Sequence, residues 1–165
     1  MKYLLIAILL LACSVPALTV GETVKIVQPP KKLAPSLPGE KIPDPAGKVG
    51  LVDFWASWRV LCKASFPALN RLQSQYAAKG LVISGVGVDD SAADFKKFST
   101  TMGASFPLVH DAAHRAAGAF NPVTMPASYL IDRKGDVRHI HTGFKGAKTE
   151  QEYTKEIEAL LGESL

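Results

Sequence analysis

The sequence has 165 residues, the length of one ordinary domain. Lys and Arg total 19 against 15 Asp and Glu, a formal charge of +4, and 47% of residues are apolar against 21% charged. That balance excludes a disordered, collagen-like or low-complexity chain, and the lack of any run of five basic residues leaves no footprint for nucleic acid.

Met1-Lys2 is a minimal positive start, and an apolar run follows from Tyr3 to Ala12. A membrane-spanning helix needs roughly 20 apolar residues, so this run is too short to span and fits the apolar core of an export signal. Its end, Leu10-Leu11-Ala12-Cys13, resembles the lipobox of bacterial lipoprotein signals. The resemblance implies a signal peptide over 1–12, cleavage before Cys13 and a lipid on Cys13 that ties the protein to a membrane. Val15-Pro16-Ala17 offers a second cleavage site that would discard Cys13 and leave a soluble periplasmic protein, and an uncleaved anchor is the third outcome. All three export the domain, and the lipid-anchored form on the periplasmic side of a bacterial membrane is the leading expectation. Residues 13–47 read as a tether, because Pro29, Pro30, Pro35, Pro38, Pro43 and Pro45 oppose both regular helix and central strand. The folded unit is expected over 48–165.

Val49 to Ala56 is a short apolar run, as expected of a strand buried on both faces. Cys62, Phe66, Leu69, Leu72 and Tyr76 then recur at helical spacing up to Gly80, and Leu81 to Val88 is a second buried strand. Ser91 reads as the N-cap of a helix through Ala92, Phe95, Phe98 and Met102, and a short helical piece follows around residues 112–119. Residues 128–131 and 137–142 are strands joined by the polar turn Asp132-Arg133-Lys134-Gly135-Asp136, too short for a crossover, so they pair antiparallel. Thr149 to Glu152 reads as a capping box, and Tyr153, Ile157, Leu160 and Leu161 give the last helix an apolar face. The order β-α-β-α-β-β-α predicts an α/β fold with a central mixed sheet flanked by helices on both faces.

That order, with Phe54-Trp55-Ala56-Ser57-Trp58 leading into a helix, Pro67 five residues after Cys62, and Met125-Pro126 before Ala127-Ser128-Tyr129-Leu130-Ile131, resembles the thioredoxin fold. More narrowly, the span from Val49 to Leu161 resembles the exported TlpA/ResA-type redoxins, a thiol-disulfide oxidoreductase family. The resemblance implies a cis-proline at Pro126 opposite the active site, and a groove for an extended polypeptide lined by Trp58, Met125 and Pro126. It also implies that Asp53 matches the buried acid that takes the proton of the family's second cysteine.

The departure from the family pattern bears directly on the chemistry. Where the family has Cys-x-x-Cys, this chain reads Arg59-Val60-Leu61-Cys62, with Leu61 in place of the frequent Pro and Ser65 where Glu is frequent. Dithiol exchange needs an attacking thiolate and a second thiol to resolve the mixed disulfide, and Arg59 supplies no sulfur. Cys62 falls at the shielded, resolving position. Ordinary dithiol catalysis is therefore not expected, and no cofactor is. Two readings remain open. Either Cys62 acts as a single redox thiol served by Asp53, with Arg59 able to pair its thiolate, or the groove binds an envelope protein or extended peptide without exchange. On the second reading Cys62 is a small core side chain and Asp53 a structural one. His139 and His141 share a strand face and His110 and His114 have helical spacing, but neither pair has an evident third ligand, so no metal is expected. Gly85 and Gly87 alternate along a strand and form no phosphate loop.

Overall fold

The computed structural model describes Ile42 and residues 47–164. Cys13, the signal segment and all of the tether but Ile42 and Gly47 lie outside the described residues. Five strands form one sheet: β1 (Val49–Trp55), β2 (Leu81–Gly87), β3 (Leu108–His110), β4 (Ala127–Ile131) and β5 (Val137–Thr142). They lie in the order β3-β2-β1-β4-β5, with β1, β2 and β3 parallel and β4 and β5 antiparallel to their neighbours. Among the described residues four α-helices accompany them, α1 (Val60–Tyr76), α2 (Ala92–Met102), α3 (Arg115–Phe120) and α4 (Ala147–Gly162), with a single 3-10 turn (Ala77–Lys79) after α1. Among the described residues no helix is long and apolar enough to cross a membrane.

Alternation along β1 divides the interior in two. Val49, Leu51 and Trp55 face a core closed by Cys62, Phe66, Leu69 and Leu72 of α1, Phe98 of α2, and Tyr153, Ile157 and Leu160 of α4. Val52 and Phe54 face the smaller core that carries Ala116 of α3, with Tyr129 and Ile131. Helices thus cover both faces of the mixed sheet, unevenly. Asp53 shares the parity of Leu51 and Trp55, so its carboxyl points into the larger core.

Three details differ from the sequence reading. A third strand, β3, is inserted after Pro107; with three residues at the sheet edge it carries no periodicity to detect. Its last residue is His110, whereas His114 is the left-handed N-cap of α3, so these two histidines do not share a helical face. The expected capping box is not formed. α4 begins three residues earlier, with Gly146 rather than Thr149 as its N-cap, and Thr149 Oγ1 instead accepts the Lys145 N–H at 3.0 Å. The Ser91 cap is present, its hydroxyl accepting the Asp94 N–H at 3.2 Å.

The glycines of β2 make room for an indole. A Cβ at Gly87 would stand 2.6 Å from Trp55 Cζ2 and 2.7 Å from Phe95 Cδ2, and one at Gly85 would stand 2.6 Å from the end of Leu108. Trp55 stacks on Phe95 and Phe98 with centroids 5.3 and 4.6 Å away, so neither ring can yield freely. We expect Gly87→Ala to cost about 1–3 kcal/mol through overpacking. Gly85→Ala, which meets a flexible leucine terminus first, should cost less. Urea unfolding of the two variants tests this ordering.

Candidate active site

Trp55 ends β1 opposite Gly87 of β2, and Phe54 is paired with Ala127 of β4. The turn Ala56-Ser57-Trp58-Arg59 and the loop ending at Pro126 therefore leave the sheet at the same end of their strands. The Met125–Pro126 peptide is cis, and the Pro126 carbonyl accepts the Gly143 N–H at 2.8 Å. A clamp holds the turn: Asp89, just beyond β2, accepts the Ser57 N–H at 3.1 Å and the Ser57 hydroxyl at 2.6 Å through Oδ1. Arg59 is the extended N-cap of α1, with no side-chain cap, and its N–H is donated to the Ala56 carbonyl at 3.1 Å. Trp58, Arg59, Val60 and Leu61 are exposed; Cys62, one turn into the helix, is 0% exposed.

The electrostatics of the two buried groups follow from that placement. Burial pushes the Cys62 thiol up to about 12, opposed by a backbone hydrogen bond from Ala56 and by Arg59, and reinforced by Asp53 and Asp89. At neutral pH it is a protonated, enclosed thiol, the reverse of an activated nucleophile. Burial likewise raises the Asp53 carboxyl to about 7, against the lowering effect of the Ser128 hydroxyl, which donates to Oδ1 at 2.6 Å. Ser128 is in turn 2.7 Å from the Tyr153 hydroxyl, whose own ionisation is raised by burial, whereas Asp53 Oδ2 is buried and has no hydrogen-bond partner among the described residues.

The structure thus brings Asp53 and Cys62 within electrostatic reach of each other, and sets Trp58 and Arg59 at the same end of the sheet as Met125 and Pro126. Ser128, Tyr153 and Asp89 are additions that the sequence reading missed. The signals were a lone serine in the otherwise apolar strand 127–131, and two aspartates directly after a buried strand. His139 and His141 both approach one carboxylate of α4, with His139 Nδ1 3.4 Å from Glu156 Oε1 and His141 Nε2 2.6 Å from Glu156 Oε2. Among the described residues no three His, Cys, Asp or Glu side chains are grouped to hold a metal.

A model of the AhpC/TSA family matches residues 36–140. The chain belongs to the AhpC/TSA family. Within the family it is similar to the thiol-disulfide oxidoreductase ResA of Geobacillus kaustophilus, 29% identical over 120 residues that make up 73% of this chain and 67% of the relative. It is also similar to the thioredoxin-like protein YneN of Bacillus subtilis, 33% identical over 66% of this chain and 65% of that protein. A crystal structure assigned as a thiol:disulfide interchange protein DsbE from Chlorobium tepidum superposes with a TM-score of 0.69 at 36% identity, covering 72% of this chain and 83% of that one. These similarities bear out the thioredoxin-like fold and the thiol-disulfide oxidoreductase kinship expected from the Trp-Ala-Ser-Trp and Met-Pro motifs.

Proposed function

We propose that this redoxin is a thioredoxin-fold binding module, which seats an extended polypeptide at the Trp58–Arg59 and Met125–Pro126 end of the sheet without exchanging disulfides. The observation that carries this reading is the state of Cys62: 0% exposed, with its thiol pushed up to about 12. Arg59 stands at the position that the family resemblance gives to the attacking cysteine, so among the described residues no second thiol is at hand to resolve a mixed disulfide. An extended segment needs none of this chemistry, because main-chain hydrogen bonds beside the Met125–Pro126 loop and pockets for its side chains hold it whether or not a thiol reacts. Export and a lipid on Cys13 belong to the same proposal, with residues 13–47 as the tether and an envelope protein as the partner.

Binding of a reduced, carbamidomethylated unfolded protein, followed by isothermal titration calorimetry, tests it against the single-thiol alternative. Cys62→Ala should bind as the wild type does, and the wild type should not turn over insulin disulfides with dithiothreitol. Loss of binding in Cys62→Ala, or wild-type turnover, would reject the proposal.

A further inference from the structure

The charges at this end of the sheet are unevenly used. Each of its aspartates is engaged within the chain: Asp89 with Ser57, Asp90 with His114 at 2.9 Å, and Asp111 with the N–H groups of Arg115, Ala116 and Ala117 at 2.8–3.2 Å. Arg59, the N-cap of α1, and Lys63, whose N–H is 3.4 Å from the Arg59 carbonyl, are both exposed, and the first turn of α1 contains no acidic residue. Among the described residues no carboxylate pairs with either of them. Beside these two cations stand large apolar side chains left in water: Trp58 at 61% exposure, Val60 at 76% and Leu61 at 48%, with Val123 at 89% in the loop before Pro126. Single exposed apolar residues are ordinary; several at one end of the sheet mark a contact surface.

We propose that the segment seated here is an extended peptide carrying an Asp or Glu that pairs with Arg59, flanked by apolar side chains that cover Trp58, Val60 and Leu61. This deepens the binding reading above and rests on it. Arg59 offers a planar, permanently charged fork that a carboxylate can meet with two hydrogen bonds, and Lys63 adds a second charge to the same field. An arginine in place of a thiol thus turns a reactive position into a selective one, and a basic or neutral segment of equal hydrophobicity is disfavoured by the same charges.

Panning a phage-displayed random heptapeptide library on the full chain tests this. The wild type should enrich apolar peptides containing Asp or Glu. Changing that acid to its amide in a selected synthetic peptide should weaken binding about tenfold at low salt and less at high salt, as for a partly exposed ion pair. Arg59→Glu should lose the acidic peptides and enrich basic ones, with Arg59→Gln intermediate, both variants keeping the wild-type unfolding midpoint. If apolar peptides are enriched with no acidic bias and Arg59→Glu selects the same set, the acidic-ligand inference is overturned while the binding reading stands. If no peptide is enriched over a Trp58→Ser/Leu61→Ser control, both fall.

Discussion

Asp53→Asn is expected to stabilise the protein above neutral pH and to remove most of the pH dependence of its stability between pH 4 and 8. The folded carboxyl, at about 7, lies above its ordinary value of 3.8, so between about pH 4 and 7 the folded state holds a proton that the unfolded chain has released. The associated stability is complete below about pH 4 and declines as pH rises through about 7, with about 4 kcal/mol lost by pH 8. Asparagine keeps an acceptor for the Ser128 hydroxyl but buries an amide N–H₂ where Oδ2 has no partner, which offsets part of the gain. The net expectation is a variant more stable by about 1–3 kcal/mol at pH 8 and equal or weaker at pH 4. Urea midpoints of both proteins at four pH values isolate the effect, because the other titrating groups are common to both. Parallel pH profiles would mean that Asp53 is ionised in the fold and solvated by groups other than Ser128.

Wild type is expected to show no disulfide-reductase activity, and Arg59→Cys to show a clear rate. Residue 59 is exposed at the start of the 17-residue helix α1, where the helix dipole favours a thiolate, and three residues before Cys62. A thiol there, even at its ordinary pKa, holds about a thousandfold more thiolate at pH 7 than one at about 12. The new thiolate attacks a substrate disulfide and releases one substrate thiolate. Cys62, deprotonated as it attacks, then displaces the second substrate sulfur and closes a 59–62 disulfide that dithiothreitol reduces. Leu61 between the cysteines and Ser65 beyond them should leave the rate modest. An inactive, well-folded Arg59→Cys that never forms this disulfide would show that the site has diverged by more than one residue, and that Asp53 is kept for packing alone.

The elements that set the site were legible where apolar residues run long or alternate: β1, β2, the α1 face through Phe66 and Leu69, and the α4 face through Tyr153 and Ile157. What escaped was set by pairing across distance. Asp53 stands out in sequence as an acid inside an apolar run, but its partner Ser128 lies 75 residues away and is assigned to it by the β1–β4 register. Tyr153 joins them only once α4 is docked on the sheet. The Asp89 clamp on Ser57 likewise depends on where β2 ends relative to β1, and β3, with three residues after a proline, has too little sequence to announce itself. The burial of Cys62 itself follows from helical spacing, since it shares its face with Phe66 and Leu69.

The decisive measurement is the rate at which Cys62 reacts with a thiol reagent such as DTNB at pH 8, native against unfolded in guanidinium. It is best followed on the Cys62 peptide by mass spectrometry, so that Cys13 does not contribute. A buried thiol at about 12 should react at least about a thousandfold more slowly in the native protein, by thiolate fraction alone. A native rate equal to or above the unfolded one would contradict the binding reading and return Cys62 to service as a redox thiol.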